Sequence, residues 1–421
     1  MSELEIQTLI AKVSADIERQ TEVLRGLERD KKLLYRRLNA VRDPVAKLPL
    51  EISAEIFLHC VDGYPVTPES APWLLLHVCH AWTEIAAATP ALWTELDLHL
   101  RRLEVFPELL QNWLQWTRNC PLKISLKGYV GPRVASAIWL HSQKLTSLHV
   151  HFTGVTVDEY YDDGYYKAVG DLDTLPQEPL FCLRELTFVG RTDIEFSWCS
   201  IFQVLRICPN LVNLDFQSMP LIRRLDIPND LEPVLLPSLR RFGSDGRLAK
   251  YLQYITAPRL ETLTFRSVQD PCDENILSFL RRSSPPVRVL ELESSYISDP
   301  DFARFPEFFA LLPTVDHLKL RNWAIDRAAQ LIRILPLRVP NLRTLELFYD
   351  DFSHPASDPK WNMLVTSLGG CRGSRIQSIR LTVARGLVGA KENTRAAFRE
   401  LGAGGMDVRV VDDEGQDLLS A

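Results

Sequence analysis

The chain has 421 residues, 24% charged and 46% hydrophobic, with a formal net charge of −6 at pH 7: globular proportions, with room for a small domain and a repeat array. An acidic balance without a basic, aromatic-studded patch speaks against a nucleic-acid partner, and no run of about eighteen apolar residues marks a membrane span. The polar N-terminus is unlike a secretory signal, and eight cysteines without a C-x-x-C pair read as reduced thiols of a cytoplasmic or nuclear protein, with no metal site and no cofactor.

Residues 4–42 contain no proline, and apolar residues recur at alternating steps of four and three: Ile6, Ile10, Val13, Ile17, Leu24, Leu27, Leu34, Leu38 and Val41. Gln20 and Lys31 fall in the same register as polar interruptions. The spacing predicts a helix with a heptad stripe. A dimerising coiled coil fits it, which makes the chain a homodimer through residues 4–42, with Lys31 favouring few strands and a fixed register. A single amphipathic helix packed on its own chain fits the same stripe. Gly26 weakens the middle, and the flanking Leu9 and Val23 are apolar rather than charged.

Residues 47–98 begin KLPLEISAEIFLHCV. Pro49 suits the first helical position, where its missing N–H costs little. Ile52 and Ile56 then share a helical face, and Asp62-Gly63-Tyr64-Pro65 ends the helix. A second apolar group, Leu75, Leu76, Val78, Cys79, Trp82 and Ile85, suits two short helices closed by Pro90. So short a unit buries little surface alone and needs a partner or a neighbouring domain.

Beyond residue 92 a different period takes over. Pro209, Pro237, Pro258, Pro285, Pro313 and Pro340 each precede, by two residues, an apolar residue opening an L-x-x-L-x-L-type strand. The following core positions, Leu214, Phe242, Leu263, Leu290, Leu318 and Leu345, are spaced by 28, 21, 27, 28 and 27 residues. Looser strands are expected at Leu92–Leu98, Lys123–Lys127 and Leu145–Val150, Leu183–Phe188 begins the regular series, and later strands are expected at Ile376–Leu381 and Val408–Val411, about ten in all. Helical periodicity fills the gaps at Ile276, Leu277 and Leu280, at Phe302, Phe305, Phe309 and Leu312, and at Trp361, Leu364, Val365 and Leu368. Each recurrent proline stops a helix and feeds the next strand. One acidic insertion, Val157–Pro179, carries Tyr160, Tyr161, Tyr165 and Tyr166 and reads either as a recognition loop or as a solvated excursion.

Two resemblances follow from these motifs. L-P-x-E-I-x-x-E-I-F at Leu48–Phe57, then V-C-x-x-W-x-x-I-A and T-P-x-L-W, resembles the F-box, in the form abundant in mushroom-forming fungi. The periodic segment resembles a leucine-rich repeat. Ser53 departs from the first motif, which usually carries an apolar residue there. The usual asparagine of the second is missing at its offset, where Val268, Ser295, Trp323 and Asp350 stand. The F-box resemblance implies a three-helix module that docks on a Skp-family adaptor and, through it, on a cullin–RING (SCF) ubiquitin ligase. Carried over by position, the adaptor-facing residues are Leu48, Pro49, Ile52, Ile56, Leu75, Val78, Cys79 and Trp82, with Glu51 as a polar rim; an internal core role is the alternative for each.

The fold class expected is α/β: a long N-terminal helix at 1–43, an F-box-like helical module at 44–91, and a leucine-rich-repeat solenoid with a curved parallel sheet at 92–421. Residues between the repeat leucines should face the concave side and meet a protein target: Asn213, Asp215 and Gln217; Thr264 and Arg266; Glu291 and Glu293; His317, Lys319 and Arg321; Glu346 and Phe348. Their mixed charge suits a protein better than a polyanion. No P-loop, G-x-S-x-G, H-E-x-x-H or kinase-like set occurs, and the nine histidines are scattered. A non-catalytic substrate receptor of a ubiquitin ligase is therefore expected, against the alternative of a ligase-independent coiled-coil and repeat scaffold whose small helices only cap the array.

Overall fold

The computed structural model describes residues 3–61, 70–99, 107–128, 132–151, 178–190, 198–218, 232–267, 270, 272–293, 302–349, 357–384, 391–403 and 406–419. The acidic insertion at 157–179 lies outside them apart from Glu178 and Pro179, as do Val268, Ser295 and Asp350. Two compact units are present, Met1–Asp97 with Glu108–Leu122, and Leu98–Pro107 with Lys123–Ala421.

The first unit opens with α1 (Glu3–Arg42), 40 residues long. Its outer-face charges satisfy one another along the helix: Arg19 with Asp16 at 2.9 Å, and Arg25 and Arg29 with Glu22 at 3.3 and 3.2 Å. The heptad residues from Ile6 to Val41 are all exposed. Asp43 precedes Pro44, which disfavours further helix, and α1 stops there. Then come a 3-10 turn (Val45–Lys47), α2 (Leu50–His59), α3 (Trp73–Val78), α4 (His80–Ala88), a second 3-10 turn (Pro90–Trp93) and α5 (Pro107–Trp116). Pro49 sits one residue earlier than the sequence suggests: it precedes the helix, and its carbonyl accepts from the amides of Ile52 and Ser53. Four indoles make a core: Trp73, Trp93, Trp113 and Trp116 meet at centroid distances of 4.6–6.3 Å. The Trp93 and Trp113 N–H groups donate to the carbonyls of Ala86 and Trp93, so burying them leaves no orphan donor.

The strands are β1 (Glu95–His99), β2 (Leu122–Lys127), β3 (Leu145–His151), β4 (Glu185–Val189), β5 (Asn213–Gln217), β6 (Val234–Leu235), β7 (Arg241–Asp245), β8 (Ile255–Thr256), β9 (Thr262–Arg266), β10 (Val289–Glu293), β11 (His317–Arg321), β12 (Thr344–Tyr349), β13 (Ser378–Val383) and β14 (Asp407–Val411). Twelve form one open sheet in chain order, two more than the repeat pattern suggests, while β6 and β8 pair separately. From β3 onward the recorded neighbours are parallel and in register: Leu186, Leu214, Phe242, Leu263, Leu290, Leu318, Leu345, Ile379 and Val408 stand side by side. Between them run α6 (Pro132–Trp139), α7 (Trp198–Arg206), α8 (Glu274–Ser283), α9 (Phe305–Ala310), α10 (Ile325–Arg338), α11 (Asp358–Gly369) and α12 (Glu392–Ala403). Alternate strand residues point into an apolar layer shared with helix residues such as Ile276, Phe305, Phe309, Trp361 and Phe398, all at most 1% exposed.

A single bonding device repeats along the sheet. The carbonyl of Arg184 accepts from the amides of both Val212 and Asn213. Val212, Arg240, Glu261, Arg288, Asp316 and Arg343 do the same for the next six strand starts. The residues two after each proline, Leu211, Leu239, Leu260, Val287, Val315 and Leu342, lie just before these amide pairs and are at most 1% exposed. At the other end of the strand the chain turns through a left-handed residue, Gly128, Ser218, Ser267 or Asn322 (φ 119°, 50°, 49° and 58°). Trp323, at the offset where asparagine was sought, is buried, and its Nε1–H donates to the Leu292 carbonyl at 3.1 Å.

Among the described residues no helix is long and apolar enough to cross a membrane. Leu290 is fully buried between Leu263 and Leu318 in the ladder. Leu290→Ala is expected to cost about 3 kcal/mol, because a packed ladder cannot collapse onto the missing atoms. Urea unfolding should show a lower midpoint at an unchanged slope.

Candidate functional site

The helical segment presents apolar side chains outward. Its geometry rests on two polar side chains, Asp43 and Ser53. The Asp43 carboxylate accepts from the Val45 amide through Oδ1 (2.9 Å), and through Oδ2 from the Trp82 Nε1–H and the Cys79 thiol (3.6 Å for the latter). Ser53, fully buried, donates its hydroxyl to the Val45 carbonyl at 2.9 Å. A hydroxyl at this position, where the motif usually has an apolar residue, thus satisfies a carbonyl of the 3-10 turn. With Ser53 and Phe57 inward, Ile52 and Ile56 face outward one turn apart, 51% and 38% exposed.

Of the residues singled out, Leu48, Pro49, Glu51, Ile52, Ile56 and Val78 are exposed. Leu75 is 3% exposed and belongs to the interior. Cys79 and Trp82 are half-buried: Trp82 packs on Phe57 at 4.9 Å and is tied to Asp43. These last two therefore shape the surface from beneath. Leu50 and Leu74, which sequence reasoning did not single out, are both 47% exposed. Nothing in the run Leu74-Leu75-Leu76 marks which leucine faces out, and Asp43 before Pro44 carries a turn signal that names no distant partner.

On the sheet, all twelve residues proposed for target contact are half-buried and occupy the face opposite the apolar layer. Many of them pair with one another. Arg266 holds Asp215 with both terminal nitrogens, at 2.6 and 3.2 Å, reaching from β9 to β5 across β7. Gln217 adds a third bond to Asp215 at 2.7 Å. The bridge passes over Gly243, where a Cβ would stand 2.2 Å from Asp215 Oδ1. Farther along, Arg321 pairs with Glu291 and lies 5.3 Å from the Phe348 ring centroid. Asn322 donates to Glu293 at 3.3 Å. Glu346 receives Lys319 at 3.1 Å and His317 at 3.0 Å. Burial alone would raise the Glu346 carboxyl, but Lys319 and His317 outweigh it and hold it below its usual range.

A shallow depression of about 120 Å³ opens at this end of the face, lined by Lys319, Arg321, Glu346, Phe348, Arg380 and Thr382. Three cations thus face one carboxylate. Arg380 is exposed and stands beside Glu346 in the ladder, whose carboxylate already serves Lys319 and His317. Arg380, Thr382 and Gly243 escaped the sequence reading because β13 lacks the proline that marked the regular repeats and because a glycine's neighbours are invisible in one dimension.

Among the described residues no group of three or more His, Cys, Asp or Glu side chains comes together as a metal site. Buried Cys208 and Cys371 are pushed up to about 12 and about 11 by desolvation and stay protonated at neutral pH. No family model matches the chain, and no characterised protein matches it either.

Gly243→Ala should be destabilising by about 1 kcal/mol, the reverse of the usual gain from glycine replacement in regular backbone, because the new methyl displaces the Asp215–Arg266 bridge. Combining it with Asp215→Ala should lose less than the sum of the two single changes. A chemical-denaturation double-mutant cycle reads the coupling. Asp43→Ala should lower the stability of the helical unit by about 1–2 kcal/mol, since the Trp82 N–H and Val45 amide lose their acceptor, and the loss should be visible in Trp fluorescence melts.

Proposed function

We propose that the chain is the substrate receptor of an SCF-type cullin–RING ubiquitin ligase. In this reading the helical segment is an F-box that docks on a Skp-family adaptor, and the sheet is the inner face of a leucine-rich-repeat solenoid that holds a protein target. The observation that carries it is the outward display of Ile52 and Ile56 from the L-P-x-E-I-x-x-E-I-F segment while Ser53 and Phe57 anchor the same helix from within. Exposed aliphatic residues on a short helix with a fixed inner face need a partner's surface to cover them.

The receptor is not an enzyme in this proposal. Its contribution is effective concentration: one end holds the ligase, the other the target, and ubiquitin transfer becomes in effect intramolecular. The register of the parallel strands and the shared-carbonyl device support the solenoid reading, because equivalent residues recur in equivalent places. The depression between Lys319 and Arg380 supports a target that offers an acidic side chain, with Phe348 as an apolar floor. Reduced, protonated thiols fit a cytoplasmic or nuclear setting.

Binding of a Skp-family adaptor to the full chain and to Ile52→Asp/Ile56→Asp tests the reading. Both residues are exposed, so the variant should keep its circular dichroism and melting temperature. Each substitution should weaken binding by about thirtyfold if the isoleucines are buried anchors, and the pair should abolish it in a pull-down. Trp82→Ala is a poorer probe, since it removes internal packing. A folded parent chain that binds no adaptor would overturn the proposal and favour the ligase-independent scaffold.

A further inference from the structure

The longest helix carries an apolar stripe that no described residue of its own unit covers. Ile10, Ile17, Leu24, Leu27 and Leu34 are 57–63% exposed, while the ion pairs of Arg19 with Asp16, and of Arg25 and Arg29 with Glu22, are short-range ones between charged residues that lie off this stripe. A stripe of that length in water calls for a second helix. Its two polar interruptions say which one.

We propose that α1 pairs with the α1 of a second copy of this chain as an antiparallel two-stranded coiled coil, in the register that sets Gln20 of each copy against Lys31 of the other. In heptad terms Ile10, Ile17, Leu24, Lys31 and Leu38 are a positions, and Val13, Gln20, Leu27, Leu34 and Val41 are d positions. Antiparallel packing places each a residue against a d residue of the other helix. The register that joins positions 20 and 31 also joins Ile10 to Val41, Ile17 to Leu34, Leu24 to Leu27 and Leu38 to Val13. Every apolar heptad residue from Ile10 to Val41 then meets an apolar one, with Ile6 beyond the last layer, and the two interruptions satisfy each other instead of facing aliphatic side chains. A shift by one heptad either way sets Gln20 and Lys31 against leucine or valine. The flanks agree, since the same register places Asp16 beside Arg37 of the second copy and opposes no like charges there.

A parallel pair does worse on each count. It stacks Lys31 on Lys31, Gln20 on Gln20, and brings Arg37 beside Arg42 of the other helix. The uncharged flanks at Leu9 and Val23, which leave parallel pairing without g-to-e salt bridges, carry no such penalty in the antiparallel arrangement. The last apolar layer falls at Val41, within the helix, which ends at Arg42. The C-terminal ends of the two α1 helices, from which each chain continues into α2, then lie about 50 Å apart along the rod at 1.5 Å per residue. Any partner bound at α2 would be carried at both ends of the rod. This proposal does not depend on what that partner is.

Sedimentation equilibrium of the full chain tests it through a charge swap. The parent should be a dimer at micromolar concentration. Gln20→Lys places lysine against Lys31 and should raise the dimer dissociation constant at least tenfold. Adding Lys31→Glu to it converts that layer to a Glu–Lys pair and should restore dimerisation to parent strength or better, with helicity by circular dichroism unchanged. In a parallel dimer the double variant would stack like charges and stay weakened. A monomeric parent, a larger oligomer, a Gln20→Lys variant as tight as the parent, or a double variant without rescue would each overturn the proposal.

Discussion

A shared backbone carbonyl at seven successive strand starts, from β5 to β13, is the constraint on which the sheet depends. One oxygen, first that of Arg184 and then its counterpart in each turn as far as Arg343, receives two amides from the next strand. That bifurcated contact leaves no freedom of register. Because side chains alternate across a strand, a slip of one residue would turn every leucine of the ladder to the outer face. The buried residue just before each amide pair, from Leu211 to Leu342, clamps the same point from the apolar side. The preceding proline offers no amide to compete for the oxygen and breaks any helix running into the turn. Sequence period, backbone bonding and burial are therefore one device seen at three levels.

The same logic of satisfied backbone groups accounts for two apparent irregularities. Pro336 lies inside α10 and takes away the amide that would serve the Ile332 carbonyl. The buried Cys371 thiol, a weak donor, lies between that oxygen at 3.9 Å and the Ser367 carbonyl at 3.7 Å. Ser53 in α2 breaks an apolar motif, yet its hydroxyl gives the Val45 carbonyl a second donor beside the Leu48 amide, tying α2 to the turn before it. At Ser53, a residue that looks wrong by hydrophobic pattern is right by hydrogen bonding.

This difference also marks what could be read in one dimension. The ladder residues were legible because two apolar positions, a proline and a fixed spacing coincide six times, and the heptad of α1 was legible because it persists over the whole helix. The helices at Ile276, Phe305 and Trp361 followed from their 3.6-residue period. Residues whose roles depend on a distant partner were not legible: Asp43 acts on Trp82, 39 positions away, and Arg266 on Asp215, 51 positions away. Gly243 is required only because those last two meet above it. Leu75 stands among the adaptor-facing residues by position in the F-box resemblance alone, and only three-dimensional packing distinguishes Leu75 inside from Leu74 outside.

The two candidate surfaces differ in what binding would demand of them. On the sheet, Asp215, Glu291 and Glu346 already hold Arg266, Arg321 and Lys319, so a ligand that took one of these charges would first have to break a pair and leave its partner half-buried. Such a face resists casual association and admits a ligand mainly where pairing is incomplete, around Arg380 and the exposed part of Phe348. On α2 nothing must be broken. Ile52 and Ile56 are held in place by Ser53 and Phe57 beneath them, and covering them releases water without displacing a prior contact. A permanent partner is best served by the second kind of surface and a selective, exchangeable one by the first, which is the division of labour that the proposed receptor requires.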